Sequence, residues 1–257
     1  MDLYLTNETI AYFRFLLFLL GLCMGSFSNA WAWRISSGEP ITKGRSHCTV
    51  CGHTLMAWDL IPLFSWLFLK GRCRYCKAPI PLRYPAAEAV CGLYFITVAV
   101  SCSFDLQLLR LLLLGPLLLV MSLEDLDRMQ IEDHLIVLAA ALSLLRLLNE
   151  GLSACADMAL GLLPAAMLLG LVLYMDRKTG KETMGGADIK LTAALGLHFG
   201  PYLTLLILIL SSLAGLLLAF LFRKKNDPIP FGPCLALGAW AAAVCGPSLL
   251  SFYFRLF

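Results

Sequence analysis

Met184-Gly-Gly-Ala-Asp188-Ile-Lys190 runs directly into the apolar stretch Leu191 to Leu197, so two glycines and a carboxylate stand where a hydrophobic helix begins. An ionised side chain at the edge of a bilayer is costly unless it is paired or hydrated, which makes Asp188 a functional residue by default. Earlier in the chain, Leu117-Leu-Leu-Val-Met-Ser-Leu-Glu-Asp125 places a second aspartate at the end of another apolar run. The two carboxylates occupy matching positions on different segments, and the remainder reads as a scaffold that brings them together.

Beyond these two stretches, the composition belongs to a membrane protein. Of 257 residues, 60% are hydrophobic and 14% charged, and the mean hydropathy is +0.80. Those values exclude an ordinary soluble domain. Apolar runs long enough to cross about 30 Å of hydrocarbon fall near residues 10–33, 84–104, 107–124, 133–149, 156–175, 187–199, 202–222 and 230–254. The expected architecture is an all-α polytopic membrane protein of about eight transmembrane helices. Its expected divisions are a first helix over 1–33, a small cytoplasmic four-cysteine zinc-binding loop domain over 34–83, and a seven-helix membrane domain over 84–257. No cleaved signal peptide is expected, because Asp2 and Glu8 stand in place of a basic leader segment and the first apolar run continues as a full span. Placing the 34–83 loop in the cytoplasm puts all of the 20 basic residues on that side except Arg14, Arg110, Arg146 and Arg255. By the positive-inside rule the N-terminus is then outside, and Asp125 and Asp188 both lie at the cytoplasmic face. The lipid bilayer is the expected partner, and no nucleic acid is expected.

The loop carries Cys48-Thr-Val-Cys51 and Cys73-Arg-Tyr-Cys76. Two CxxC pairs at this separation have the spacing of a tetrahedral site, and a reducing cytosol disfavours disulfides. With all four ligand positions filled by thiolate, none is left for an activated water, so zinc here would fold the loop. Between the pairs, Leu55 to Leu69 is strongly apolar and holds Trp58 and Trp66, which suits either an interfacial anchor or a lid. Cys23, Cys91, Cys102, Cys155, Cys234 and Cys245 read as small buried hydrophobes.

In the first helix, Gly21-Leu-Cys-Met-Gly25 has the small-xxx-small spacing of close helix packing, and Gly25, Ser26 and Asn29 share adjoining parts of one face. Packing and ligand contact both fit that face. Glu88, about one turn inside the second helix, needs a partner or water, and a structural pair with a loop arginine competes with a functional role. Near Asp125, the acids Asp127, Glu132 and Asp133 suit a solvated loop, and Asp133 also suits a helix cap. Asp125 is distinguished by its place against the apolar run and by Asp188 at the same depth. Two adjacent carboxylates cannot both ionise easily and share a proton, so one can act as base on a water while the other protonates the substrate. Gly185 and Gly186 let a substrate backbone approach closely and allow hinge motion.

These residues resemble the type IV prepilin peptidases, membrane aspartic proteases of the GxGD group. The likeness rests on Gly25-Ser-Phe-Ser-Asn29, Gly71-Arg-Cys-Arg-Tyr-Cys76, Pro81-Leu-Arg-Tyr-Pro85-Ala-Ala-Glu88, Asp125, Gly185-Gly-Ala-Asp188-Ile-Lys190 and Pro230-Phe-Gly-Pro233. It implies an endopeptidase that removes the basic leader of type IV prepilins or pseudopilins at the cytoplasmic face of the bacterial inner membrane. It further implies methylation of the new N-terminal residue from S-adenosylmethionine. Asp125 and Asp188 would be catalytic. Gly25, Ser26, Asn29 and Glu88 would serve the methyl donor, and Gly185, Gly186, Lys190, Pro230, Gly232 and Pro233 would bind substrate or act as hinges. Three positions depart from the family pattern: Gly-Gly-Ala-Asp replaces Gly-x-Gly-Asp, Glu132 stands where many relatives have proline, and Ala30 where valine is common. A rival reading is a transporter with an aspartate relay and a regulatory zinc loop, although no further acids continue a path through the span depth.

Overall fold

The structure is a computed structural model and describes residues 7–41, 44–222 and 229–256. Asp2, which bears on the expected lack of a signal peptide, and Lys43 and the basic segment 223–225, which bear on the charge asymmetry, lie outside the described residues. Helices make up the fold, and the described residues form no β-strand beyond two isolated bridges. The chain divides into two compact units, Met1–Val100 and Ser101–Phe257.

The first unit comprises α1 (Asn7–Ser37), a 3-10 turn (Ala57–Leu60), the short α2 (Phe64–Phe68) and α3 (Arg83–Ser101). The small residues of α1 exist for α3: a Cβ at Gly25 would stand 2.7 Å from Glu88 Cα and 2.9 Å from Cys91 Cβ. Asn29 ties the same contact, donating from Nδ2 to the carbonyls of Gly25 at 3.3 Å and Tyr84 at 3.2 Å. Further along, Arg14 donates to the Ala99 carbonyl at 3.2 Å.

The second unit comprises α4 (Leu106–Arg128), α5 (Asp133–Leu142), α6 (Leu145–Glu150), α7 (Ser153–Gly161), α8 (Leu163–Thr179), α9 (Gly186–Phe222) and α10 (Gly232–Leu256). Asp105 caps α4 by accepting from Leu108 N–H at 3.1 Å, and α4 is the most buried of the long helices. It packs on α5, α6 and α10, while α9 packs on α5, α7, α8 and α10.

Six helices among the described residues are long and apolar enough to cross a membrane, so the chain is a multi-pass membrane protein. Of the eight expected runs, one is divided into two short helices and two adjoin one another within α9. Residues 133–149 form α5 and α6, interrupted at Ser143, whose hydroxyl bonds the Ala140 carbonyl at 2.6 Å. The runs 187–199 and 202–222 stand as two helical segments within α9, as expected, separated where Gly200 (φ 73°, ψ 179°) leaves the helical conformation before Pro201. The carbonyls stranded by that break find partners in two buried arginines. Arg110 donates to His198 O at 2.6 Å, and Arg146 donates to Leu197 O at 3.3 Å. Arg146 in turn pairs with Glu150 and Asp157, each at 2.8 Å. Two of the four arginines that the charge count left on the non-cytoplasmic side thus stabilise a broken helix.

The six cysteines outside the loop are not uniformly buried: Cys91 and Cys234 are, Cys102 is half-buried, and Cys23, Cys155 and Cys245 lie exposed on their helices. An apolar helix in a bilayer can turn a small thiol outward at little cost, so burial did not follow from hydrophobic surroundings.

Candidate active site and metal centre

The loop of the first unit is two copies of one turn. In the first, Cys48 N–H donates to His53 O at 2.9 Å and Gly52 N–H to Cys48 O at 2.8 Å. In the second, Cys73 N–H donates to Ala78 O at 2.8 Å and Lys77 N–H to Cys73 O at 3.1 Å. The residue after each CxxC takes the left-handed conformation, with φ 69° at Gly52 and 59° at Lys77. The four sulfurs of Cys48, Cys51, Cys73 and Cys76 all lie within 4.8 Å of one another, with Cys48 to Cys76 at 3.8 Å. A tetrahedron of thiolates bonded to zinc at about 2.3 Å has edges of about 3.8 Å, so the cluster fits such an ion.

The environment favours thiolate formation at one end of the cluster. The Cys51 backbone N–H, assisted by Val50 N–H and neighbouring thiols, outweighs burial and draws Cys48 down to about 7. At Cys76 the Ala78 N–H pulls downward, but desolvation and the other three thiols prevail and push it up to about 11.

Asp59, which the sequence reading passed over, ties the apolar linker to the second turn. It accepts from Arg74 Nε at 2.6 Å, Met56 N–H at 3.2 Å and Tyr75 hydroxyl at 3.4 Å. Burial alone would raise its carboxyl, yet these donors hold it below the usual carboxylate range. An acid between two apolar tryptophan-bearing segments was the available signal.

Beside the loop lies a cavity of about 200 Å³ lined by Ser26, Trp33, Asp59, Trp66, Tyr84 and Glu88, among others. Glu88 is buried and accepts from Leu63 N–H at 2.7 Å, which places its partner in the loop backbone rather than on an arginine. Gly25 and Asn29 are at the α1–α3 contact and do not line this cavity. Aromatic walls with a carboxylate suit an organic cation, which is the chemistry of a sulfonium donor.

In the second unit, Asp125 ends the buried part of α4 and is only 7% exposed, whereas Asp127 and Asp133 are exposed. Its Oδ2 accepts from the Gly232 backbone N–H at 2.7 Å, at the start of α10. The space at Gly232 is taken, since a Cβ there would lie 2.9 Å from that same oxygen. Asp188, half-buried in the first turn of α9, lies within range of the Asp125 charge, and Cys234 on α10 lies within range of both. Three helices thus converge on the two carboxylates. Gly185 sits beside Asp188, where an added Cβ would be 3.4 Å from Oδ2, and Gly186 opens α9 with free space around it. Pro230 and Pro233 flank Gly232, with the Pro230 carbonyl 3.9 Å from the Cys234 thiol. Lys190 forms an exposed pair with Asp133, at 2.7 and 2.9 Å from its two oxygens.

A helical membrane protein with a paired-carboxylate site and a four-thiol cluster is a narrow class, and comparison with known proteins agrees with it. Residues 19–102 match the Bacterial Peptidase A24 N-terminal domain, and residues 112–220 match the Type IV leader peptidase family. The prepilin leader peptidase/N-methyltransferase of Aeromonas hydrophila is 35% identical over 94% of this chain and 94% of its own. Its Pseudomonas aeruginosa counterpart is 35% identical over 98% and 97%, and that of Bacillus subtilis 31% identical over 94% and 98%. The chain belongs to the type IV leader peptidase family. No solved structure matches it. Nothing among these matches favours the transporter reading.

Proposed function

We propose that this chain removes the leader of a type IV prepilin or pseudopilin and methylates the new N-terminal residue, acting at the cytoplasmic face of the bacterial inner membrane with its N-terminus outside. The observation that carries the reading is the meeting of Asp125 and Asp188 at the ends of two apolar helices, within range of each other's charge. Asp125 is oriented by the Gly232 N–H, and the bare backbone of Gly185 and Gly186 leaves room for an extended peptide beside Asp188. One carboxylate takes a proton from a water as it attacks the scissile carbonyl, while its protonated partner gives its proton to the carbonyl oxygen; on collapse of the gem-diol the first carboxyl passes the water's proton to the departing amine and the partner takes a proton back from a gem-diol hydroxyl. A basic leader held in the cytosol by the positive-inside rule would present its cleavage site at that depth.

Cys48, Cys51, Cys73 and Cys76 would hold a zinc ion, which supplies folding free energy to the loop. S-adenosylmethionine would supply the methyl group. Ser26 and Glu88 line the cavity suited to it, where the Glu88 carboxylate, fixed by Leu63 N–H, can accept from a cationic or N–H group. Gly25 and Asn29 support that cavity by fixing α1 against α3. The test is incubation of the purified protein with a prepilin, with and without S-adenosylmethionine, followed by mass spectrometry of the product N-terminus. A shortened, methyl-free product without the donor and a product heavier by one methyl group with it are expected; an uncleaved prepilin sinks the reading.

A further inference from the structure

Glu124, next to Asp125, is 1% exposed, and its Oε1 has no hydrogen-bond partner among the described residues. Its other oxygen accepts a long bond from Glu132 N–H at 3.4 Å. A carboxylate oxygen left unpaired in the interior is costly, and a fold retains one where a partner arrives from outside. Glu124 is among the residues around a cavity of about 460 Å³ whose walls also include Arg128, Glu132, Asp133, the bare backbone of Gly185 and Gly186, and Lys190. Lys190 is already neutralised by both oxygens of Asp133, which leaves Glu124 and Glu132 set against Arg128 as the other cation of the wall among the described residues. The acids of the wall therefore outnumber its cations, and two of its residues neighbour the candidate carboxylates: Glu124 precedes Asp125, and the space at Gly185 is bounded by the Asp188 carboxylate.

We propose that this cavity is a substrate subsite that receives a lysine or arginine side chain of the leader, with Glu124 Oε1 as its acceptor. The inference rests on the prepilin-processing reading above and deepens it. A peptide lying against Gly185 and Gly186 brings its backbone to Asp188, and a cationic side chain turned into the cavity ends at Glu124. Binding this cation replaces the missing partner of Oε1 and sets the register of the leader relative to the dyad. Glu124 is then a specificity residue, distinct from the proton-transferring pair.

The test is steady-state cleavage by wild type and Glu124→Gln, each with a prepilin carrying its native leader and with leader lysines and arginines replaced by glutamine. Loss of a hydrogen bond between charged groups costs about 10-fold or more, so Glu124→Gln raises KM for the native leader by that factor with kcat nearly unchanged. Neutralising the leader has a similar effect on wild type and little further effect on Glu124→Gln, because both changes remove one interaction. Independent penalties that multiply, or a loss confined to kcat, overturn the proposal. Wild type that cuts neither substrate overturns the prepilin reading itself, which separates the two failures. Should Glu124→Gln not fold, carbodiimide coupling on wild type provides the readout: an amide between a leader lysine and Glu124, located by mass spectrometry, is expected. A leader lysine coupled elsewhere but not to Glu124 overturns the subsite.

Discussion

In the loop of the first unit, each cysteine pair is closed by hydrogen bonds that reach no more than about one turn along the chain, and the second pair repeats the first bond for bond. In the second unit, Asp125 is held by a backbone N–H 107 positions away, and its partner carboxylate comes from a third helix. The contrast shows two ways of concentrating repelling groups. Short loops cost little entropy to close, so each thiol pair forms locally, and only the meeting of Cys48 with Cys76 spans 28 positions. The carboxylates have no local geometry to hold them and depend on the packing of α4, α9 and α10.

This contrast is tested hardest at the carboxylates. Asparagine has nearly the shape of aspartate but cannot exchange the proton, so Asp125→Asn or Asp188→Asn should each lower the cleavage rate by about 10²–10⁴-fold. The double variant should lose no more than a single one, because the pair acts as a unit. Unchanged metal content in the same proteins would show that the loop does not depend on the dyad's chemistry.

A somewhat smaller loss is expected from Gly232→Ala. The new methyl group would press on the Asp125 carboxylate and turn it, with an overpacking cost of about 1–3 kcal/mol. Cleavage should fall by about 10-fold or more in kcat. A variant with wild-type kcat would mean that the Gly232 contact does not orient Asp125.

Cys73→Ser probes the cluster built from the two local turns instead. Removing one thiolate of four should lower metal content, measured by elemental analysis, and open residues 44–80 to limited proteolysis. Full metal occupancy would show that the cluster does not act as one site.

The smallest effects belong to the acids beside the dyad. Asp127 is exposed, and Asp127→Asn should change cleavage by no more than about 2-fold, since surface substitutions seldom exceed about 0.5 kcal/mol. Should Asp127→Asn abolish processing while Asp125→Asn does not, the wrong carboxylate has been assigned.

Much was legible in the sequence because its causes are short-range. Apolar runs specify helices wherever the solvent is a bilayer, and a CxxC followed by a residue tolerant of positive φ specifies its own turn. An aspartate against an apolar run marks itself by its cost. The helical membrane architecture, the four-thiol cluster and the two candidate carboxylates therefore follow from the order of residues alone.

Which groups serve which neighbours was settled by packing. The Gly232 N–H reaches Asp125 because α10 begins beside the end of α4, and no spacing along the chain encodes that meeting. The break at Gly200 required carbonyl partners, and Arg110 and Arg146 supply them from helices distant in sequence. Gly25 and Asn29 went to helix packing while Ser26 went to a cavity, although all lie on adjoining parts of one helix. Glu124 looks in sequence like one more acid of a polar turn, and it differs from Asp127 only because the bundle closes over it. Propensity and turn chemistry act within a few residues, but a buried polar group's partner is whatever helix packing brings within about 3 Å.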